Sequence, residues 1–428
     1  MPPVLSKAYI DKLPNELLAW IVEISNSDDT QHNGATSCQK FVLAGVCTKW
    51  RGVAQGTARL WADLPVTLNT VPAYVEFIFG LTREAPLALT IDLAHQLPHP
   101  PGTSGVLETA TVEEFLESVA PILATKTVHI RCLHILAYLE KDLRQLLLAL
   151  GHLSGTGMKD LHLEVICPRP LDDTLPQTPE PLPLFQSTSC LQTLGLINVP
   201  LLLAEVMFAS VKNLTLDRTP GLTWSELSHN LRAMISLESL TLWGPVCADY
   251  DTQTVVSLPC LTTLALRISG PSDIPLALAM LRMPALIWLR IGRTNGAIEP
   301  VLSALGDALA DITRLELYSR PTVGNNKHED EISAVWECTP KLSFVDFNKT
   351  AYADMKKFVS VLKENTGRFP LLNSIHTDYG FPEGTIEELL RVTSATLVTP
   401  STDSTFTEVR WSWQDGGARR SKFIVWAV

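Results

Sequence analysis

The sequence predicts an α/β protein in which a small N-terminal helical module precedes an irregular solenoid of strand-plus-helix repeats. Three observations support this fold class. An apolar six-residue motif recurs along the chain, two apolar stripes at helical spacing precede it, and hydrophobic residues make up 46% of the sequence against 18% charged. That proportion provides enough apolar surface to fold the whole chain. We place the helical module at residues 1–66 and the solenoid at residues 67–428.

The recurring motif is L-x-x-L-x-L. Strict copies occupy residues 191–196, 237–242 and 261–266, and looser copies occupy 211–216, 286–291, 312–317 and 342–347. From Leu194 onward, the central apolar positions are separated by 20, 26, 24, 25, 26 and 30 residues. Most of these intervals lie in the range of roughly 20–29 residues that is typical of leucine-rich repeats. The alternation predicts a short strand with one buried face in each repeat, and stacked neighbours supply the core.

The solenoid is expected to be irregular, because the ninth repeat position lacks the buried Asn or Cys of regular repeats. That position holds Val199, Thr219, Pro245, Ser269, Thr294 and Arg320. More divergent rungs are predicted at 87–91, 128–130 and 161–163, with helices at 112–123 and 138–150. The proline-rich stretches 96–102 and 168–183 are then loops between rungs.

The C-terminal residues predict a hairpin. Asp415-Gly416-Gly417 is a favourable turn between two arms that contain aromatic residues. The last repeat of a solenoid needs a cover. We expect residues 405–428 to form this cap, and an aromatic binding site is the alternative.

A short amphipathic helix and then a second helix pair are predicted in the N-terminal module. Residues 13–24 place Leu17, Leu18, Ile21 and Ile24 on one stripe, and Pro14 suits a first helical turn. Residues 41–55 form a second stripe, which ends at Gly56. Helical periodicity alone fits a structural cap of the solenoid and a binding module equally well.

Three sequence blocks in this module resemble the F-box in the same order. They are residues 13–18 (LPNELL), 46–54 (VCTKWRGVA) and 60–64 (LWADL), and the segment of about 26–40 is longer and more polar than the compact F-box pattern. Residues 83–87 and the strand after them also resemble the first repeat of fungal-type F-box proteins. The resemblance implies a three-helix fold that docks on the Skp-family adaptor of a cullin-RING ubiquitin ligase. The positions that match the docking blocks are Leu13, Pro14, Glu16, Leu17, Val46, Cys47, Trp50 and Val53.

The open face of the sheet is the expected target-binding surface. In L-x-x-L-x-L, the third and fifth positions point away from the core. Early rungs carry small polar residues there, whereas three later rungs carry aromatic and charged ones: Trp288, Arg290, Arg314, Glu316, Phe344 and Asp346. Trp and Arg are enriched among binding hot spots. We expect the aromatic and Arg side chains to recognise the target, with Glu316 and Asp346 setting charge selectivity. The alternatives are a covered face or a register slipped by one residue.

Several functions are disfavoured by composition and motifs. The net charge of −11, with no basic run, argues against nucleic acid. No apolar stretch reaches the length of a membrane helix, no secretory signal precedes the module, and scattered cysteines suit a reducing compartment, so an intracellular protein is expected. No catalytic or cofactor motif occurs, and the His129, Cys132 and His134 group lacks typical metal-ligand spacing.

The function that best fits these features is a non-catalytic substrate receptor of an SCF-type ubiquitin ligase. The N-terminal module would dock the adaptor, and the solenoid would bind an unknown protein target. The alternative is a leucine-rich repeat scaffold without ligase association, in which the F-box-like segment is purely structural. The sequence does not name the target, because repeat surfaces encode partners by shape and scattered side chains.

Overall fold

A computed structural model describes the following parts of the chain: residues 13–27, 36–94, 111–126, 129–150, 157–166, 190–199, 208–219, 222–244, 247, 254–268, 274–293, 299–319, 335–347, 352–364, 369–377, 396–398, 411–415 and 418–422. The chain divides into two compact units, Met1–Phe208 and Ala209–Val428. Each unit contains a parallel sheet whose strands follow one another in chain order with connecting segments between them.

The first unit contains five described strands that pair in parallel: β1 (Asp63–Thr67), β2 (Leu87–Asp92), β3 (Ile130–Ala137), β4 (Asp160–Val165) and β5 (Thr193–Ile197). Alternate side chains are buried, such as Leu161 and Leu163 in β4. Of the rung predicted at 128–130, Ile130 begins β3, whose core residues include Leu133 and Ile135, and residue 128 lies outside the described residues. The predicted module boundary at residue 66 falls inside β1.

The described helices of the first unit are α1 (Asn15–Ser27), α2 (Thr36–Gly45), α3 (Thr48–Gly56), α4 (Pro72–Thr82), α5 (Val112–Ser118), α6 (Ala120–Ala124) and α7 (Glu140–Ala149). A 3-10 helix, Ala58–Trp61, joins α3 to β1. The single helix predicted over 112–123 is wrong, because Pro121 lacks an N–H and a new helix begins at Ala120. The helix pair predicted around 41–55 is present as α2 and α3, which are separated where α2 ends at Gly45 and Cys47 is fully extended.

The second unit contains eight described strands in its parallel sheet: β6 (Asn213–Asp217), β7 (Ser239–Trp243), β9 (Thr263–Ile268), β11 (Trp288–Arg293), β12 (Arg314–Ser319), β13 (Phe344–Phe347), β14 (Ser374–Thr377) and β15 (Thr396–Val398). Two short strands, β8 (Val256–Ser257) and β10 (Leu281–Arg282), form a separate parallel pair. The predicted hairpin is confirmed, since β16 (Trp411–Asp415) pairs antiparallel with β17 (Ala418–Lys422). Its role as a cap remains a prediction.

Helices of the second unit cover the core side of the sheet with aromatic and aliphatic residues. The bounds are α8 (Trp224–Ala233), α9 (Ile274–Ala279), α10 (Glu299–Leu305) and α11 (Tyr352–Glu364), with a 3-10 helix at Gly306–Asp311 and helical residues at 335–338. A capping box begins α8, in which Thr223 and Glu226 bond reciprocally. Trp336 and Phe358 are fully buried with ring centroids 4.5 Å apart.

Three rungs leave their strands through a residue with left-handed backbone geometry. These residues are Asn198 (φ 54°), Arg218 (φ 47°) and Gly244 (φ 72°). At Gly244 a Cβ would lie 2.7 Å from Cγ of Arg218, so glycine suits both the backbone and the space. The buried side chain of Asn198 donates to the Val165 carbonyl at 2.8 Å. The side-chain amide of Asn198 therefore forms a hydrogen bond between neighbouring rungs, at the position before the ninth repeat position.

Candidate functional site

Several residues of the F-box-like blocks are buried within the N-terminal helical module. Leu18 and Ala54 are fully buried, and Trp50 and Val53 are only 6% and 9% exposed. In this arrangement Trp50 and Val53 contribute to the core of the helical module. The expectation that they face an adaptor is therefore corrected, because helical spacing identifies a shared stripe without telling which stripe packs inward.

An exposed apolar stripe runs along α1. Leu17, Trp20 and Ile24 are 44%, 61% and 44% exposed, and their spacing places them on one helical face. Of the other predicted docking residues, Pro14, Glu16 and Val46 are exposed, and Leu13 and Cys47 are half-buried. Trp20 was not among the predicted docking residues, although its spacing of three from Leu17 and four from Ile24 places it on the same helical face. Val42, 65% exposed near the end of α2, was also missed.

An open cleft of about 480 Å³ lies between α1 and α3. Its lining residues are Asn15, Glu16 and Ala19 from α1, and Thr48, Lys49, Gly52, Val53, Gly56 and Thr57 from α3 and its end. A Cβ added at Gly52 or Gly56 would meet no atom within 4 Å, so this side of α3 is uncovered. The cleft and the apolar stripe on α1 together leave the module with surface that could accept a partner.

The third F-box-like block joins the module to the sheet. Trp61 is 1% exposed, and its indole N–H donates to the Ala54 carbonyl at 2.7 Å. The Lys40 ammonium lies 5.7 Å from the Trp61 ring centroid and donates to the Asp63 carbonyl at 2.9 Å. Burial lowers the pKa of Lys40, and the charge of Asp63 partly opposes this effect. The block therefore acts as a structural joint between α3 and β1.

A small polar cluster occupies the open face of the first unit. The Cys132 thiol donates to Asp160 Oδ2 at 3.1 Å, and the rings of His134 and His162 lie 6.0 Å apart. Burial, with the Asp160 contact, raises the pKa of Cys132 to about 11, so this thiol stays protonated at neutral pH and is a poor nucleophile. Burial and the neighbouring His134 lower the pKa of His162. Among the described residues, no group of three His, Cys, Asp or Glu could hold a metal ion.

The open face of the second unit carries the predicted aromatic and charged residues in the expected register. Strand pairing aligns Trp288 with Arg314 and then Phe344, and aligns Arg290 with Glu316 and then Asp346. The alternate side chains of the same strands are buried: Leu289, Ile291, Leu315, Leu317, Val345 and Phe347. The register was therefore predicted correctly, and the six side chains lie in two adjacent rows on one face.

Two of the charges in these two rows, Arg290 and Glu316, pair with each other. Arg290 Nε lies 2.8 Å from Glu316 Oε2, and its Nη2 donates to Oε1 at 3.0 Å. Glu316 is only 7% exposed, which corrects the expectation that it sets charge selectivity, because its charge is satisfied inside the row. Asp346 Oδ1 lies 3.0 Å from Nδ1 of His376, a residue that was not among the predicted ones.

Arg314 stands apart from these pairs. Its guanidinium carbon lies 4.3 Å from the Trp288 ring centroid and 4.9 Å from that of Phe344, on the two flanking strands. The residue is exposed, and no carboxylate of the described residues pairs with it. We call Trp288, Arg314 and Phe344 the guanidinium stack. A second arginine, Arg267, lies 5.6 Å from the Trp243 ring on the same face.

Comparisons with known proteins leave the family open. No protein-family model matches the sequence, and no curated protein matches it. A chain in a crystal structure of the Rad7 and Elc1 complex in yeast aligns with 90% of this chain and 92% of its own length, at 13% identity and a TM-score of 0.37. A likeness this weak carries no conclusion about fold or function. Among the described helices, none has both the length and the apolar run that crossing a membrane would require.

Proposed function

We propose that the chain is a non-catalytic substrate receptor of an SCF-type cullin-RING ubiquitin ligase. The N-terminal module docks a Skp-family adaptor, and the open face of the solenoid binds a target protein. The receptor then acts by proximity, since it raises the effective concentration of the target beside the ubiquitin-transferring subunits.

The observation that carries this proposal is the exposed apolar stripe of Leu17, Trp20 and Ile24 on α1. Three large apolar side chains on one exposed helical face favour a protein partner, because soluble proteins rarely leave such a patch uncovered. Trp is also enriched at interface centres. The stripe begins within the LPNELL block, whose resemblance to the F-box indicates the kind of partner.

The test is co-purification of the full chain with a recombinant Skp-family adaptor. The variant Leu13→Ala/Pro14→Ala is expected to abolish co-purification, and Leu17→Ala/Trp20→Ala is expected to do the same. The backbone contacts at this site survive these changes, since Lys49 Nζ and the Leu18 N–H bond to main-chain carbonyls of Leu13 and Pro14.

The matched control is Val71→Ala/Leu148→Ala, which removes two side chains that are each 62% exposed and lie outside α1–α3. This variant should bind the adaptor as the unaltered chain does. If the unaltered chain does not bind, or the module variants bind normally while remaining folded, the ligase proposal fails and the scaffold alternative takes its place.

A further inference from the structure

The guanidinium stack places one cation beside two aromatic rings on the open face of the second unit. Trp288 and Phe344 lie on the strands that flank Arg314, and both rings are within 5 Å of its guanidinium carbon. Aromatic rings contact the flat faces of a guanidinium, whereas its N–H donors lie along the edge. The edge of Arg314 therefore remains available to an acceptor, and the rings reduce the conformational freedom lost on binding.

Arg314 is exposed, and no carboxylate of the described residues pairs with it. Arg290 is occupied by Glu316 at 2.8 Å and 3.0 Å, and Asp346 faces His376 at 3.0 Å. Arg290 and Arg267 also lie near rings of this face, each with its guanidinium carbon 5.6 Å from a ring centroid, and of these two only Arg267 has no described carboxylate partner. The surface thus presents positive charge in a protein whose net charge is −11.

We propose that the guanidinium stack binds an acidic segment of a partner protein, with a carboxylate accepting two hydrogen bonds from the edge of Arg314. This inference rests on the proposed use of the open face for target binding. Charge complementarity identifies the ligand, because Arg is suited to bidentate recognition of carboxylates. A nucleic acid strand fits less well, since the few unpaired cations of this face would release few counterions from its phosphates.

The experiment selects ligands from a library of random dodecapeptides with the full chain. The selected peptides should contain at least about twofold more Asp and Glu than the starting library, as charge complementarity requires. One selected peptide and its Asn/Gln counterpart are then measured by fluorescence anisotropy. The acidic peptide should bind, and the amide counterpart should bind at least about tenfold more weakly.

Variants of the full chain assign the effect to the stack. Arg314→Ala should weaken binding of the acidic peptide at least about tenfold, and Arg314→Lys should restore only part of it, because Lys is a point charge without the planar fork. Arg282→Ala is the charge-matched control, since Arg282 is exposed in the separate strand β10 and should leave affinity unchanged.

Three results would overturn the inference: no acidic enrichment in the selected peptides, equal affinity of Arg314→Ala and the unaltered chain, or tighter binding of a single-stranded DNA of the same length. Adaptor co-purification is measured on the same Arg314→Ala preparation, where it should be unchanged. If the adaptor never binds while the peptide results hold, the ligase proposal fails and the acidic-segment inference stands.

Discussion

Replacing Arg290 with Met tests whether the buried carboxylate of Glu316 depends on its partner in the neighbouring strand. Met keeps an unbranched apolar stem beside Trp288 but removes both contacts to the carboxylate, at 2.8 Å and 3.0 Å. The Glu316 side chain is 9% exposed, so water replaces little of the lost interaction. We expect this substitution to destabilise the second unit.

The expected magnitude follows from the exposure of the two partners. Removing one member of a fully buried pair costs about 3–5 kcal/mol, whereas exposed pairs contribute about 0–1 kcal/mol. Glu316 is near the buried limit, but the Arg290 side chain is 40% exposed. We therefore expect Arg290→Met to lower the free energy of unfolding by about 2 kcal/mol. The double variant Arg290→Met/Glu316→Leu also removes the carboxylate that would otherwise be left unpaired. Its free energy of unfolding should fall by less than about 1 kcal/mol.

Urea denaturation followed by circular dichroism measures these differences from the transition midpoints. The control is Lys341→Met, which breaks the exposed pair with Asp311, whose side chains are 57% and 58% exposed. This control should cost less than about 1 kcal/mol and become smaller in high salt. A loss below about 0.5 kcal/mol for Arg290→Met would refute the reasoning, as would a double variant less stable than the single one.

Two further predictions concern pH and the C-terminal hairpin. Because the folded state lowers the pKa of His162 from 6.5, protonation favours the unfolded chain, and stability should fall as pH decreases from 6.5 through the lowered value. In thermal melts across this range, His162→Gln should lose less stability than the unaltered chain, and equal losses would contradict this origin. Deleting residues 405–428 should lower the melting temperature or cause aggregation if the hairpin caps the last repeat. An unchanged melting curve would rule out the cap.

The repeat register could be predicted because it depends on local alternation. In 286–291, 312–317 and 342–347, each strand has apolar residues at the core positions and polar or aromatic ones at the open positions. A one-residue slip would expose Leu289, Leu315 and Val345, each 0% exposed in the structure. The capping box at Thr223 and the hairpin turn at Asp415 were predictable for the same reason, since their partners are close in sequence.

The helical module was harder to predict, because two stripes on short helices can each form the core. Helical spacing grouped Leu17 with Leu18, yet Leu18 is buried and Leu17 is 44% exposed. The division between α2 and α3 lies at the extended backbone of Cys47, a position that apolar spacing alone does not locate. Which stripe faces inward is set by packing among α1, α3 and the 3-10 helix, which the residue order does not encode locally.

The sequence by itself determined the α/β class, the positions of most strands and which side chains face the core, because these follow from alternation within a few residues. Only the tertiary structure decided how the charges on the open face are distributed. The charge of Glu316 is neutralised by Arg290, which lies 26 positions away in the sequence. Arg314 lies beside aromatic rings on both neighbouring strands. Such pairings form across strands, so the distances that govern them appear only once the repeats are stacked.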